Sequence, residues 1–317
     1  MFEAIGFTVL GLVLLALGGD SLVKGAAGLG ERLGIPRFAV GLGLVAVATS
    51  LPELAVNARA VASGDSALAL GNAVGSNIVN VGLTLGLAAL AAPLVIGWRA
   101  LSPLLAVLLL STLAVAGLSL DGGLSRIEGI VLLLVFGGVV AFVAMRGDDE
   151  SPEVRAEIDA FATTRGGLGM NIVRVVLATV LLWFGAGWIV AHMPTIGHAL
   201  GMDSLLAGLV LVAVGTALPE AAAAVAAARR GQGDIVAGHV IGSSLFNLLV
   251  VLGGMAAVGG TVPVPSSFVR LELPVAFLFA LLLVPLLRGN TTVSRGEGGM
   301  LLAALAAWLV LEAALLG

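Results

Sequence analysis

Residues 41–62 read GLGLVAVATSLPELAVNARAVA, and residues 208–229 read GLVLVAVGTALPEAAAAVAAAR, so one pattern occurs twice. The two copies start 167 residues apart, and the same offset relates GNAVGSNIVNVGLTLG at 71–86 to GHVIGSSLFNLLVVLG at 238–253. Each long copy places one carboxylate, Glu53 or Glu220, inside an apolar run. A carboxylate at membrane depth is costly and therefore marks a candidate functional site. Two such sites, one in each half, are typical of a transporter built from a duplicated unit.

The composition is that of a polytopic membrane protein. The chain is 59% hydrophobic and 11% charged, with a mean hydropathy of +1.15, whereas soluble domains carry about 25% charged residues. A spanning helix needs about 20 apolar residues, and ten candidate stretches lie at roughly 3–23, 38–62, 68–92, 101–119, 127–145, 170–191, 204–228, 235–259, 268–287 and 298–316. We therefore expect an all-α protein that crosses the cell membrane, inner or plasma, ten times and whose main surroundings are the lipid bilayer.

Several classes of function have no support in the chain. There is no cysteine, which excludes disulfides and thiolate metal sites. No nucleic-acid signature is visible, and no nucleophile, base and orienting group stand together as in an enzyme. We expect no enzymatic activity, no cofactor, no nucleic-acid partner and no obligate protein partner.

Positive charges predict the orientation of the spans. With the N-terminus outside, twelve Lys and Arg residues fall on the cytoplasmic side, and three, Arg59, Arg126 and Arg270, fall outside. This bias follows the positive-inside rule, and an even number of spans puts both termini outside. Five spans separate equivalent stretches, so the two halves are predicted to be inverted. The predicted organisation is a first inverted repeat at 1–146, a cytoplasmic linker at 147–169 and a second inverted repeat at 170–317.

In the first half, hydroxyl and carboxylate oxygens cluster around the TSLPE motif. Thr49, Ser50 and Glu53 stand at i, i+1 and i+4, which brings them near one helix face. Pro52 lacks an N–H and displaces the carbonyl of residue 48, so we predict a helix break there. In the next stretch, Ser76 and Asn80 share a face at i and i+4. Hard cations such as Na⁺ and Ca²⁺ prefer oxygen ligands of this kind.

The second half repeats the pattern with Thr216 and Glu220, with a predicted break at Pro219 and with Ser243 and Asn247 in the following stretch. If a pseudo-twofold axis relates the halves, the four stretches meet at mid-depth, and two carboxylates match the charge of one divalent ion. Other readings remain open at this point. Serine and threonine in membrane helices often bond their own backbone, and asparagine often joins neighbouring helices. A buried acid can instead pair with a base, although no Lys or Arg lies at matching depth in the third, seventh or eighth stretch.

The motifs TSLPE at 49–53, GNAVGSN at 71–77, TALPE at 216–220 and GHVIGSS at 238–244 closely resemble the repeats of the cation/calcium exchanger superfamily, in particular its prokaryotic sodium/calcium exchanger branch. The resemblance implies ten helices in two inverted halves that exchange Na⁺ for Ca²⁺ by alternating access. It implies Ca²⁺ ligands at Glu53, Glu220, Thr49 and Thr216. It implies Na⁺ sites at these four residues together with Ser50, Ser76, Asn80, Ser243, Asn247 and the carbonyls of Ala46 and Ala213.

Two departures from the family pattern concern the Na⁺ sites. Ala217 stands where the family has a second serine, and Asn247 stands where relatives often carry Asp. A Ca²⁺/H⁺ exchanger of the same superfamily is the first alternative; those exchangers tend to carry Gly-Asn in place of Thr49-Ser50, and His239 keeps this alternative open. A cation channel is the second alternative, and interrupted helices in inverted repeats argue against it.

Overall fold

Helices dominate the computed structural model, which describes residues 1–32, 50–146, 167–288 and 292–315. In the first half these helices are α1 (Phe2–Arg32), α2 (Leu51–Ala62), α3 (Ser66–Val79), α4 (Gly86–Ala91), α5 (Trp98–Leu118) and α6 (Arg126–Arg146). In the second half they are α7 (Leu168–Ala199), α8 (Ser204–Leu206), α9 (Ala213–Arg229), α10 (Gly233–Phe246), α11 (Gly253–Gly259), α12 (Ser266–Arg270), α13 (Glu272–Arg288) and α14 (Arg295–Leu315).

Among the described residues, three π-helical turns join helices into longer rods. Asn80–Leu85 connects α3 to α4, Ala207–Val212 connects α8 to α9, and Asn247–Leu252 connects α10 to α11. The first and third turns have the same length and are related by the same 167-residue offset as the sequence motifs. Wide turns of this type occur mostly as short interruptions in α-helices and often lie at functional sites.

The described part of the chain contains eight helical stretches that are long and apolar enough to span a membrane. Two of the ten predicted stretches are not among them. The stretch 38–62 is described only from Ser50 onward, and the stretch 298–316 corresponds to the 21-residue helix α14. The spans Ser66–Ala91 and Gly233–Gly259 are 83% and 78% buried, whereas Arg126–Val143 is 11% buried. The two rods that carry the repeated GS motifs therefore form the centre of the molecule, and α6 presents its apolar side chains to lipid.

Two short antiparallel ladders join the halves. β1 (Leu94–Val95) pairs with β4 (Thr292–Val293), and β2 (Gly123–Leu124) pairs with β3 (Val262–Pro263). β1 and β3 follow α4 and α11, whereas β2 and β4 precede α6 and α14. β1 is therefore equivalent to β3, and β2 is equivalent to β4, so the two ladders correspond to each other under the repeat.

Glycine allows the central helices to touch through their backbones. A Cβ atom at Gly71 or Gly75 of α3 would overlap the carbonyl oxygen of Leu205 or Leu209, which belong to α8 and its π turn. α1 and α7 also pack along each other, and a Cβ at Gly11 would lie 2.9 Å from the carbonyl oxygen of Gly185. Small residues at such crossings are the usual means of close helix packing in membranes.

Candidate ion-binding site

The first acidic residue lies at the start of α2. Ser50 precedes this helix, Pro52 lies in its first turn, and Glu53 follows. A proline is tolerated there because the first backbone N–H groups of a helix have no partner within it. The side chains nevertheless point inward, since Ser50 is 1% and Glu53 is 2% exposed. Whether Pro52 breaks a longer helix depends on residues before Ser50, which lie outside the described part of the chain, as do Thr49 and Ala46.

The second acidic residue reaches the same place from α9. Thr216 and Glu220 are one turn apart on this helix, and both are buried. The carboxyl group of Glu53 lies beside the hydroxyl of Thr216 and the carboxyl of Glu220. Two acids that are 167 residues apart in the chain therefore face each other inside the molecule.

No basic side chain neutralises this pair in the part of the chain that the structure describes. The ion pair found there, Lys24 to Asp20 at 2.6 Å, is exposed on α1. Arg59, six residues after Glu53, instead stacks on the ring of Trp183, with its guanidinium carbon 4.9 Å from the ring centre. Two buried carboxylates without a counter-charge repel each other, so a cation between them is strongly favoured.

Several oxygen atoms around the acids have no hydrogen-bond partner. They are Oγ of Ser50, Oε2 of Glu53, Oε2 of Glu220 and Oδ1 of Asn247, whose amide nitrogen is also unpartnered. Each buried polar group left unsatisfied costs about 1–3 kcal/mol. A hard cation bound to these oxygens would remove that cost, because carboxylate, hydroxyl and amide oxygens are the ligands that such ions prefer.

Two hydroxyl groups near the acids, those of Thr216 and Ser76, have hydrogen-bond acceptors within their own helices. Thr216 donates to the carbonyl oxygens of Val212 at 3.1 Å and Ala213 at 3.4 Å. Ser76 donates to Oδ1 of Asn72 at 3.4 Å, and Ser243 lies 3.4 Å from Nδ1 of His239. A hydroxyl that has donated its hydrogen keeps lone pairs available for a cation. Back-bonding within the helix, which is common in membrane helices, is thus compatible with a ligand role.

The two predicted asparagine ligands open the π turns. Asn80 begins the turn after α3, and Asn247 begins the turn after α10; they are 2% and 0% exposed. These two turns pack against the opposite half, because the first contacts α9 and α10 and the second contacts α2 and α3. Ala217, which replaces a serine of the family pattern, is fully buried and provides no side-chain oxygen.

The predicted break at Pro219 is wrong. α9 runs from Ala213 to Arg229 with Pro219 inside it. A proline removes one backbone hydrogen bond and crowds the carbonyl four residues earlier, which here belongs to Gly215. The irregular backbone lies instead in the π turn Ala207–Val212, which directly precedes α9.

Asn57 and Asn72 are two buried polar residues that the sequence prediction did not include. Asn57 lies one helical turn after Glu53, and its Oδ1 accepts a hydrogen bond from Nδ2 of Asn72 at 3.0 Å. Both residues are 0% exposed. The i, i+4 spacing from Glu53 indicates that Asn57 lies on the same helix face as the acid. Asn57 aligns with Ala224, however, so the duplication of the sequence does not mark it.

Two acids that face each other at the centre of a multi-pass helical membrane protein are typical of a cation transporter. Comparison with known proteins specifies the family. The family model described as sodium/calcium exchanger protein matches residues 3–145 and again residues 170–313. The chain therefore belongs to the sodium/calcium exchanger family, whose members are cation/Ca²⁺ exchangers.

Relatives along the full length agree with this assignment. The chain is 33% identical over 320 residues to inner membrane protein YrbG of Escherichia coli strain K12, with 98% of this chain and 97% of the relative covered. It is 30% identical to sodium/calcium exchanger MaX1 of Methanosarcina acetivorans, with 95% and 96% covered. A solved structure of the sodium-calcium exchanger NCX_Mj, soaked with Na⁺ and Sr²⁺, matches with a TM-score of 0.67 at 28% identity, covering 98% of both chains.

Proposed function

We propose that the protein is a Na⁺/Ca²⁺ antiporter that works by alternating access. The observation that carries the proposal is the meeting of Glu53 and Glu220 inside the molecule, with no basic partner among the described residues. The relatives called sodium/calcium exchangers support the choice of ions. Energy comes from the Na⁺ gradient, because transport of Ca²⁺ against its gradient needs a second ion that moves the opposite way.

Charge explains why the two ions compete. Two carboxylates carry two negative charges, which one Ca²⁺ or two Na⁺ neutralise, whereas an empty pair repels itself. We propose that Ca²⁺ binds Glu53, Glu220, Thr49 and Thr216. Na⁺ uses the same oxygens and, in addition, neutral ligands at Ser50, Ser76, Asn80, Ser243, Asn247 and the carbonyls of Ala46 and Ala213. Because the ligand sets overlap, loading one ion expels the other.

The architecture that we propose has ten transmembrane helices in two inverted repeats. The repeats are 1–146 and 170–317, the segment 147–169 is a cytoplasmic linker, and both termini lie outside. Support comes from the recurrence of the π turns at one offset, from two strand ladders that map onto each other, and from a family model that matches the chain in two blocks. We further propose that α1 and α7 move across the core to switch access.

Ca²⁺/H⁺ exchange is the second candidate, because the coupling ion is not fixed by membership of the family. One observation favours it. His239 is buried beside Ser243, where the first half has Asn72. An imidazole can bind and release a proton, whereas an amide cannot.

One experiment separates the candidates. Purified protein is reconstituted into liposomes, and ⁴⁵Ca²⁺ uptake is measured while an outward gradient of Na⁺, K⁺ or H⁺ is imposed singly. We expect uptake with the Na⁺ gradient alone. Uptake driven by a pH jump in Na⁺-free buffer would establish the H⁺-coupled alternative instead, and Ca²⁺ current without any counter-ion would establish a channel. Liposomes with the double variant Glu53→Gln, Glu220→Gln serve as the control for leakage.

A further inference from the structure

A chain of hydrogen bonds leads from α2 to Ser76. Oδ1 of Asn57 accepts from Nδ2 of Asn72 at 3.0 Å, and Oδ1 of Asn72 accepts from Oγ of Ser76 at 3.4 Å. All three side chains are 0% exposed. The chain starts one turn after Glu53 and ends on a proposed Na⁺ ligand.

The order of donors and acceptors in this chain decides what Ser76 can do. An amide side chain has an accepting end and a donating end. In the structure Asn57 presents its oxygen to Nδ2 of Asn72, whose own oxygen then faces Ser76, while Nδ2 of Asn57 has no hydrogen-bond partner. Ser76 then gives its only hydrogen to Asn72, and its lone pairs stay free. If the amide of Asn72 were reversed, its NH₂ would occupy a lone pair of the hydroxyl and would hold positive charge close to any bound cation.

We propose that Asn57 is a positioning residue that acts through Asn72 and orients the hydroxyl of Ser76 for Na⁺. This inference rests on the proposed function, because it assigns Ser76 to a Na⁺ site. Asn57 does not touch the ion in this scheme; its effect on transport passes through the orientation of one hydroxyl.

The described residues of the second half do not repeat this chain of hydrogen bonds. The residues that align with Asn57, Asn72 and Ser76 are Ala224, His239 and Ser243. Ala224 has no polar side-chain atom, and Nε2 of His239 has no hydrogen-bond partner. Either ring nitrogen of a neutral histidine can carry the hydrogen, so Nδ1 can accept from Ser243 or donate to it. The proposed Na⁺ ligands Ser76 and Ser243 are therefore held in different ways, and the two halves are not equivalent toward Na⁺.

The test is the variant Asn57→Ala, which gives the first half the residue that the second half already has. Two quantities are measured in proteoliposomes: the Na⁺ concentration for half-maximal Na⁺-driven ⁴⁵Ca²⁺ flux, and the Ca²⁺ concentration for half-maximal Ca²⁺/⁴⁵Ca²⁺ exchange without Na⁺. Because one buried hydrogen bond is lost, we expect the Na⁺ value to rise about three- to tenfold. The Ca²⁺ value should change by less than about twofold, since neither carboxylate is affected. Unaltered Ca²⁺/⁴⁵Ca²⁺ exchange also shows that the variant is folded.

A double-variant comparison tests whether Asn57 acts through Ser76. In the background Ser76→Ala, the further change Asn57→Ala should leave the Na⁺ value unchanged, because there is no hydroxyl left to orient. The control is Thr112→Ala, which removes a buried hydroxyl of α5 whose hydrogen bond, to the carbonyl oxygen of Leu108 at 2.8 Å, stays within its own helix; it should not alter the Na⁺ value.

Equal shifts of the Na⁺ and Ca²⁺ values in Asn57→Ala, or effects that simply multiply in the double variant, would overturn the role of Asn57. No shift of the Na⁺ value would overturn it as well. These outcomes are distinct from a failure of the proposed function, which would appear as absence of Na⁺-driven flux in the unaltered protein.

Discussion

Replacement of Glu53 by glutamine should remove Ca²⁺ binding while leaving the fold intact. Glutamine has nearly the same shape as glutamate, so the packing of α2 is preserved and only a charge is lost. Glu53 is 2% exposed and lies beside Glu220, and no basic side chain of the described residues compensates for either acid. The bound divalent ion would then face one carboxylate instead of two.

The magnitude follows from the burial of the site. Breaking a buried ion pair by removing one charged partner costs about 3–5 kcal/mol. Since about 1.4 kcal/mol corresponds to a factor of ten in affinity, Ca²⁺ should bind roughly 100- to 4,000-fold more weakly. The same loss is expected for Glu220→Gln, because the two acids contribute equally to the charge of the site.

Two assays check this prediction, one of Ca²⁺ affinity and one of thermal stability. Ca²⁺ affinity is measured by ⁴⁵Ca²⁺ binding to the detergent-solubilised protein. Thermal unfolding is then followed with and without Ca²⁺, because a ligand that binds only the folded state raises the midpoint. The unaltered protein should gain stability with Ca²⁺, and the variant should not. In Ca²⁺-free buffer the variant should be at least as stable as the unaltered protein, since the change removes a repulsion between like charges.

The matched control is Glu128→Gln at the start of α6. Glu128 accepts a hydrogen bond from the backbone nitrogen of Ser125 at 2.7 Å, and Ser125 accepts one from the backbone nitrogen of Glu128 at 3.4 Å. Glutamine supports this capping box as well, so the control loses a charge with little effect on stability or Ca²⁺ affinity. Unchanged Ca²⁺ affinity in Glu53→Gln and Glu220→Gln would refute the assignment of the site. A large loss of stability in Ca²⁺-free buffer would show that the acids serve folding instead.

Two further predictions concern the framework of the site. Gly71→Ala should prevent correct packing of α3, because the added Cβ would overlap a backbone carbonyl oxygen of α8. Gly254→Ala should be tolerated, since no atom lies within 4 Å of its added Cβ. The yield of monodisperse protein in size-exclusion chromatography distinguishes the two variants. Asp65→Ala removes the side-chain cap of α3, a hydrogen bond of 3.0 Å from the backbone nitrogen of Leu68, and should lower the free energy of unfolding by about 1 kcal/mol, read as a lower midpoint in thermal unfolding.

The positions of the helices could be predicted because the membrane leaves the backbone few choices. In lipid each backbone polar group must find a partner within the protein, so an apolar run of sufficient length becomes a helix. The stretches predicted at 68–92 and 127–145 correspond closely to Ser66–Ala91 and Arg126–Arg146. The prediction was less accurate where a helix extends beyond the apolar layer. The stretch predicted at 170–191 lies in a single helix that continues to Ala199.

Details of the backbone could not be predicted in the same way. A π turn differs from an α turn by one shifted hydrogen bond and has no residue signature, so the turns at Asn80–Leu85 and Asn247–Leu252 are invisible in the sequence. The two-residue strands are too short to produce an alternating pattern. The proline rule describes a local preference, and it failed at Pro219, which lies inside the continuous helix α9.

Duplication of the sequence indicates candidate site residues where the halves agree and gives no information where they differ. Duplication singled out Glu53 and Glu220, since an acid that occurs twice in the same apolar context is unlike a chance substitution. Asn57 has no counterpart in the second half, so duplication is silent about it. The role proposed for Asn57 rests on the hydrogen bond to Asn72, which joins two helices and depends on their packing.

The two halves carry the same residue at the positions proposed to balance the charge of Ca²⁺. They carry different residues at several neutral positions that concern Na⁺. Ca²⁺ needs both negative charges, and each half supplies one acid in the same motif, so the two halves are matched where charge must be balanced. Na⁺ carries half the charge and depends more on neutral oxygens. Among the polar positions that form the site or support it, the differences fall on neutral side chains and spare both acids: Ser50 against Ala217, Asn57 against Ala224, and Asn72 against His239. Changes at these three positions should therefore alter the number and affinity of Na⁺ ions while Ca²⁺ binding persists, so under the proposed function the coupling ratio can change while Ca²⁺ transport is retained.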